Sequence, residues 1–475
     1  MSFDLPKGWT SQSIENAMEA IIDYRGKTPK KSDSGIPLIT AKIVKSGRLE
    51  TPTEFIPEED YDAWMVRGLP QAGDVVLTTE APLGEVAQLD DANVALAQRI
   101  VTLRGKPDLL VNDYLKYLLQ SHAVQQQLDA RGSGSTVKGI KQSELRKVVL
   151  SLPPIAQQRS IAGTLKSLDD KITLNTQTNQ TLEQMAQALF KSWFVDFDPV
   201  IDNALDSGFF EREFVGEGIP EPLAKRVAIR QALREAAGAD TDASAIGRLP
   251  PETRALFPDR FEKHPELGWI PKGWEVKPVS EALDINPKVK LSKGTTAKFA
   301  DMKAAPTSGY MIDGVIEKEF SGGSKFMADD VLLARITPCL ENGKTAIVDF
   351  LAQDEAGFGS TEFIVMRGKG AVSMPFVACL SRLPEFRAHC IQSMVGSSGR
   401  QRVQNACFDS FYLTFPPTAD VLEKFEQTCL PSFRQMTVAR LESEALANLR
   451  DTLLPKLLSG ELELANTEII VEAFA

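Results

Sequence analysis

Between positions 25 and 48 lie seven basic side chains, Arg25, Lys27, Lys30, Lys31, Lys42, Lys45 and Arg48, and one acid, Asp33. That window carries +6 in a chain whose formal net charge is -11. Gly, Pro, Ser and Thr are interleaved with the cations, as in loops that approach a polyanion closely. Lys and Arg in such loops suit phosphate contacts, and arginine forks also suit base edges. A second basic set is more dispersed: Lys288, Lys290, Lys293, Lys298, Lys325, Arg335 and Lys344. Two Gly/Ser patches sit beside further cations. Gly132-Ser133-Gly134-Ser135-Thr136 is flanked by Arg131 and Lys138, and Gly396-Ser397-Ser398-Gly399 is followed by Arg400 and Arg402. Their hydroxyls and backbone N–H groups are candidates for phosphate or base contact. The plain alternative for any one of these lysines is a solvated surface loop.

Other chemistries find little support. Gly26-Lys27-Thr28 and Gly343-Lys344-Thr345 resemble the end of a phosphate-binding loop. That loop needs a glycine five positions before its last one, and Ile21 and Pro338 stand there. Leu152-Pro153-Pro154-Ile155 lacks the acid or amide and the aromatic ring of an amino-methylating site. There is no H-E-x-x-H and no G-x-S-x-G. His122, His264 and His389 are far apart in sequence and read as structural or surface residues. Asp169-Asp170 and Asp329-Asp330 read as capping or solvated acids, not metal ligands. The five cysteines, Cys339, Cys379, Cys390, Cys407 and Cys429, form no CxxC pair and read as free thiols in a reducing cytosol.

The elements that hold these residues come in duplicate. Leu5-Pro6-Lys7-Gly8-Trp9 returns as Ile270-Pro271-Lys272-Gly273-Trp274, displaced by 265 residues. Each Gly/Ser patch is followed by an apolar run and a Pro-Pro, at Pro153-Pro154 and Pro416-Pro417. Each Pro-Pro opens a long helical pattern, and Lys191 and Lys456 near their ends are again 265 apart. A chain of 475 residues accommodates two such units. Strands are expected at 36–39, 74–78 and 94–103, then at 331–335, 345–349 and 363–366. Helices are expected at 112–128, capped by Asn112 or Asp113, and at 375–394, where Pro384 is a potential break.

The long helices are the most legible elements. Ile161, Leu165, Leu168, Ile172, Leu182, Met185 and Leu189 form one stripe. Phe425, Phe433, Met436, Leu446, Leu449, Leu453 and Leu457 form the other, with Pro431 and Pro455 expected to disturb it. Forty residues of helix extend about 60 Å. Two such stripes suit an antiparallel pair; the alternative is that each helix packs on its own domain. Residues 198–265 are less regular, with a helix expected at 221–237. No apolar run reaches the length of a membrane span, and the N-terminus lacks the pattern of a secretory signal.

These residues together resemble the specificity subunit of type I restriction-modification systems. The resemblance rests on Ile36-Pro37-Leu38-Ile39-Thr40-Ala41-Lys42, Gly73-Asp74-Val75-Val76-Leu77, Gln157-Gln158-Arg159-Ser160-Ile161-Ala162 and Leu189-Phe190-Lys191-Ser192-Trp193-Phe194. It continues through Ala255-Leu256-Phe257-Pro258-Asp259, the run from Asp330 to Thr345, and Leu454-Pro455-Lys456-Leu457-Leu458-Ser459-Gly460. It implies an α/β fold: two mixed α/β target recognition domains joined by two long helices forming an antiparallel coiled coil. The expected parts are recognition domains at 1–154 and 266–417, spacer helices at 155–197 and 418–460, a linker and supporting segment at 198–265, and a tail at 461–475.

By that resemblance the chain has no catalytic, cofactor or metal residues. It binds double-stranded DNA at a bipartite, asymmetric target and docks two modification (methyltransferase) subunits and restriction (endonuclease) subunits in the cytoplasm. S-adenosylmethionine, ATP and magnesium belong to those partners. The expected DNA contacts are Arg25, Lys27, Lys30, Lys31, Lys42, Lys45, Arg48, Ser133, Ser135, Thr136, Lys138, Lys288, Lys290, Lys293, Arg335, Lys344, Ser397, Arg400 and Arg402. The second patch lacks a counterpart to Thr136, and the first helix lacks one to Pro431, so the halves are not interchangeable. An autonomous DNA-modifying or DNA-cutting enzyme and a coiled-coil scaffold without DNA recognition are the competing readings.

Overall fold

A computed structural model describes residues 5–26, 28–134, 137–216, 218–237, 248–397 and 399–464. The chain divides into two compact units, Met1–Leu174 with Glu442–Ala475, and Asn175–Leu441. Each contains one α/β lobe and part of both long helices.

In the first unit, Val75–Thr79 is buried along its whole length and lies inside a four-stranded antiparallel sheet. The order is Met18–Asp23, Ile100–Gly105, Val75–Thr79, Leu83–Gln88. Alternation sends Val75 and Leu77 to one face, where Tyr114, Leu115 and Leu118 of a helix cover them. Val76 faces the other way, against Leu38, Ile39 and Val44. That second layer holds a small sheet of Phe55–Ile56, Ile36–Ile39 and Ala95–Leu96, beside the two-stranded pair Val44–Lys45 and Arg48–Leu49.

The second unit repeats this plan. Its main sheet runs Leu283–Ile285, Phe363–Gly368, Val331–Ala334, Thr345–Ile347, all antiparallel. Val331 and Leu333 join the core that holds Phe376 and Leu380 of the helix Met374–Arg382, while Leu332 packs with Ala300 and Phe326 of the smaller sheet. In both units the small sheet contains one parallel pair, Leu38 beside Ala95 and Phe299 beside Phe358.

Several expected elements differ in detail. The stretch 94–103 is two strands, because Ala95–Leu96 pairs in the small sheet while Ile100–Gly105 pairs in the main one. The helix at 112–128 is two helices, Asn112–Gln120 and His122–Arg131. Ser121 is extended between them, and its hydroxyl accepts from the Val124 N–H that starts the second. Neither Asn112 nor Asp113 caps the first helix. The Asn112 side chain accepts from the Gly105 N–H and the Asp113 carboxylate from Gln88. Pro384 does break the matching helix, giving Met374–Arg382 and Pro384–Gln392.

The long helices run uninterrupted over Ile155–Phe194 and Asp420–Ser459, so Pro431 and Pro455 do not end the second. An internal proline costs about 3 kcal/mol. Here both prolines are exposed, as are Gln427 and Asp451, whose carbonyls lose their helical donors, so water can satisfy them. Burial of Phe425, Phe433 and Met436 contributes roughly 1.5–3 kcal/mol each, which offsets a cost of that size.

The helices touch each other within each unit. In the first, Asp169 takes a 2.8 Å hydrogen bond from Arg450, and Lys171 pairs with Glu442 at 3.3 Å. In the second, the Asn175 amide donates to the Ala439 carbonyl at 3.3 Å and Asn179 to that of Met436 at 3.2 Å. Aromatic side chains fix the first helix to its lobe in the second unit: Phe194 lies 5.0 Å from Phe376, and Trp193 5.1 Å from Phe257.

The helix at Glu221–Ala237 forms as expected, and one side of it is an ion-pair ladder. Arg226, Arg230 and Arg234 reach Asp198, Asp202 and Asp206 on the helix Asp198–Ser207, each pair 28 residues apart. Spacing of i, i+4 on both helices places all three pairs along one seam.

Two of the acids read as capping or solvated, Asp169 and Asp330, are buried. Asp169 accepts hydrogen bonds from Tyr117 at 2.8 Å and from Arg450. Burial alone would raise its pKa, but the Arg450 hydrogen bond and the nearby Lys116 charge hold it below the usual carboxylate value. Asp330 is completely buried, with bidentate Arg367 at 2.6 and 2.7 Å. Charged groups survive burial only where such partners exist, a condition set by residues distant in sequence.

Candidate nucleic-acid interface

One end of each main sheet gathers the chemistry. In the first unit, strands finish or begin there at Asp23, Ile100, Thr79 and Leu83. Arg25 leaves the first of these strands. Its Nη1 donates to the Ile140 carbonyl at 2.7 Å, and its Nε lies 3.2 Å from Asp23. Ile140 is the root of a hairpin that carries the first Gly/Ser patch. Ser133 and Gly139 exchange both backbone hydrogen bonds, Gly139 also bridges to Glu80, and the Ile140 N–H donates to Thr79. Gly134 is required at the tip: its φ is +121°, and a Cβ there would lie 2.1 Å from the Val137 carbonyl oxygen.

The second unit builds the same end from other residues. Val395 and Arg402 exchange both backbone hydrogen bonds, Arg402 bridges to Ile336, and the Val403 N–H donates to Arg335. The two hairpins therefore correspond position by position: Ser133 with Val395, Gly139 with Arg402, Glu80 with Ile336, Thr79 with Arg335. Lys288, Lys290 and Lys293 follow Ile285, at the same sheet end that Arg25 occupies in the first unit.

The expected contact residues divide by their present partners. Lys31 and Lys42 share Glu54, at 2.7 and 3.2 Å. The Lys31 hydrogen bond, with Lys42 behind it, holds the Glu54 carboxyl below its usual value. Lys45 pairs with Glu50 at 2.8 Å and Lys138 with Asp129 at 2.7 Å. Arg402 holds Glu362 through Nε and Nη2, at 3.0 and 2.6 Å. Lys344 donates to the Met302 carbonyl and Arg335 to that of Val403.

Among the described residues, the side chains of Lys30, Arg48, Lys288, Lys290, Lys293 and Arg400 have no ionic partner. All of these are exposed except the half-buried Arg48. Ser133 and Ser397 are exposed. Lys27, Ser135 and Thr136 lie outside the described residues.

No group of three or more potential metal ligands occurs among the described residues. His389 contacts the Cys407 carbonyl, and His264 accepts from backbone N–H groups nearby. No helix among the described residues is long and apolar enough to cross a membrane.

The family profile described as the type I restriction modification DNA specificity domain matches residues 6–184. The HindI specificity subunit of Haemophilus influenzae is 25% identical over 404 residues, covering 78% of this chain and 82% of that relative. The MjaIX specificity subunit of Methanocaldococcus jannaschii is 24% identical over 474 residues, covering 96% and 94%. The chain is a homologue of type I specificity subunits. Its fold also resembles the crystal structure of the type I restriction-modification system S subunit from M. genitalium, with a TM-score of 0.50 and 13% identity over 96% of this chain and 98% of that one.

In this specificity-subunit homologue the sheet end also holds Arg99, which stands outside the basic window of the sequence. It precedes the strand Ile100–Gly105, its backbone carbonyl accepts from Thr79, and its side chain is exposed. It lines a cavity of about 260 Å³ together with Thr28, Lys31, Thr40, Lys42 and Gln98. Arg99 lies outside the dense basic window, which hid it. Its place becomes visible only when the two lobes are superposed strand by strand.

Proposed function

We propose that this chain is the non-catalytic DNA-specificity subunit of a type I restriction-modification complex. Each lobe reads one half of a bipartite, asymmetric target with the end of its main sheet. The observation that carries this reading is the duplicated sheet end, with its glycine-dependent hairpin and surrounding cations. Lys30, Lys288, Lys290, Lys293 and Arg400 meet phosphates directly. The paired lysines, Lys31, Lys42, Lys45 and Lys138, exchange an intramolecular carboxylate for DNA, while Arg402 keeps its grip on Glu362 and holds the second hairpin in place. Ser133 and Ser397 present hydroxyls from the hairpins.

The long helices act as an antiparallel coiled coil that sets the gap between half-sites. Supporting this, contact positions rise along one helix, 169, 171, 175 and 179, as they fall along the other, 450, 442, 439 and 436. Two modification subunits dock on the chain and methylate adenine with S-adenosylmethionine. Restriction subunits bring ATP- and magnesium-dependent cleavage. Extrusion of the target base falls to the modification subunits.

Reconstitution tests this function. The chain mixed with its modification subunits is expected to bind a specific duplex and methylate it, and each component alone is not. Sequence-selective methylation or cleavage by the chain alone would contradict it. The spacer role has its own test. Removing seven residues from each long helix, in matched positions, shortens the pair by about 10.5 Å. The unspecified gap is then expected to shrink by about three base pairs at roughly 3.4 Å each. Methylation mapping with the shortened chain reads the gap, and an unchanged gap would rule the ruler out.

A further inference from the structure

Superposing the two sheet ends by their backbone hydrogen bonds exposes an inversion of charge. In the first lobe the Thr79 N–H donates to the Arg99 carbonyl, and in the second the Arg335 N–H donates to that of Glu362. Arg99 and Glu362 therefore occupy one structural position, immediately before the strands Ile100–Gly105 and Phe363–Gly368. Each belongs to an ion pair, and the partner comes from a different element. Arg99 approaches Glu80 through Nε at 3.4 Å, whereas Glu362 is gripped by Arg402 of the hairpin. The counterpart of Glu80 is Ile336, and the counterpart of Arg402 is Gly139. The pair is kept while its polarity at this position is reversed.

That reversal discriminates between two roles. A position that meets the DNA backbone faces the same anion in both half-sites and would keep a positive or neutral residue. A carboxylate at Glu362 is unsuited to phosphate. Base edges, by contrast, offer both donors and acceptors. Arg99 shares its cavity with the neutral hydrogen-bonding groups of Thr28, Thr40 and Gln98, and with Lys31, Lys42 and Glu54, whose charges pair with one another. Both pairs remain accessible, with side-chain exposures of 54% for Arg99 and 22% for Glu362.

We infer that Arg99 and Glu362 are equivalent specificity-determining positions, Arg99 reading a guanine in one half-site and Glu362 a cytosine in the other. The Arg99 guanidinium presents its outer nitrogens to guanine O6 and N7. Glu362, oriented by Arg402, retains acceptor capacity for a cytosine amino group. The inversion supplies one source of asymmetry between the half-sites. This rests on the DNA-specificity reading above.

The test is selection of DNA from a library by the chain assembled with its modification subunits, for the parent and for Arg99→Gln and Glu362→Gln separately. Arg99→Gln is expected to lose about tenfold discrimination for guanine at one position and to move preference toward adenine, which glutamine reads. The second half-site and the gap stay as in the parent. Glu362→Gln is expected to relax one cytosine position in the opposite half-site. Unchanged base preference in either variant, or a uniform loss across all sequences, overturns the inference while leaving the specificity-subunit function standing. A parent complex that selects no sequence overturns both. If one variant fails to assemble, the other decides the matter alone.

Discussion

Replacing Lys288, Lys290 and Lys293 together by glutamate is expected to weaken DNA binding by the assembled complex by roughly two to three orders of magnitude at physiological salt. These three side chains are exposed, lie within six positions of one another, and have no ionic partner among the described residues. No intramolecular pair has to break before they reach a phosphate. Removing one phosphate-binding cation also flattens the dependence of log K on log salt by about 0.9, so the slope should fall by nearly three. Fluorescence titrations of a labelled duplex over a salt series measure both quantities. Reversal of the exposed Lys225, which pairs with Glu221 far from the sheet end in sequence, serves as the control and should leave the slope unchanged. Equal affinity and slope in the triple variant would remove the second lobe's lysine loop from the interface.

The second large effect concerns stability. Asp74 and Asp330 occupy matching positions at the opposite end of the two central strands, and each meets one arginine from the neighbouring strand. Arg104 reaches Asp74 at 2.7 and 2.8 Å, and Arg367 reaches Asp330 at 2.6 and 2.7 Å. Each carboxylate also accepts a backbone N–H three residues earlier, from Gln71 and Met327. Both aspartates are buried. Truncating Arg104 or Arg367 to alanine strands a buried carboxylate, which typically costs about 3–5 kcal/mol. That is a large share of the roughly 5–15 kcal/mol that stabilises an ordinary domain. Urea denaturation should show each variant losing the transition of its own lobe first. Replacing both members of one pair, Asp74→Asn with Arg104→Met, is expected to recover part of the loss, because no isolated charge remains. Full stability in the single variants would mean that water reaches these carboxylates.

How much of this was legible follows from the range of each interaction. The 36–39 strand and both long helices announce themselves through local apolar patterns, and the structure places them at Ile36–Ile39, Ile155–Phe194 and Asp420–Ser459. The duplication was legible because Trp9 and Trp274, and Lys191 and Lys456, keep one offset. What stayed hidden depends on residues far apart in the chain. Thr10–Ser13 becomes a strand only because Val149–Leu152 returns beside it. Asp169 looks like a solvated acid until Arg450 and Tyr117 arrive. The helix containing Pro431 persists because its aromatic face is buried elsewhere. At the sheet end, the basic window was visible as composition, but its pairing with Glu50 and Glu54 was not. Arg99 carried no local signal, since its meaning lies in the comparison with Glu362.

A genome-wide map of methylated adenine in the host, with this gene present and deleted, tests whether the chain sets the specificity of modification. Deletion is expected to erase methylation at one bipartite motif whose two halves differ, and restoring the gene to restore it. A methylation map identical with and without the gene, in cells that express the modification subunits, would contradict it.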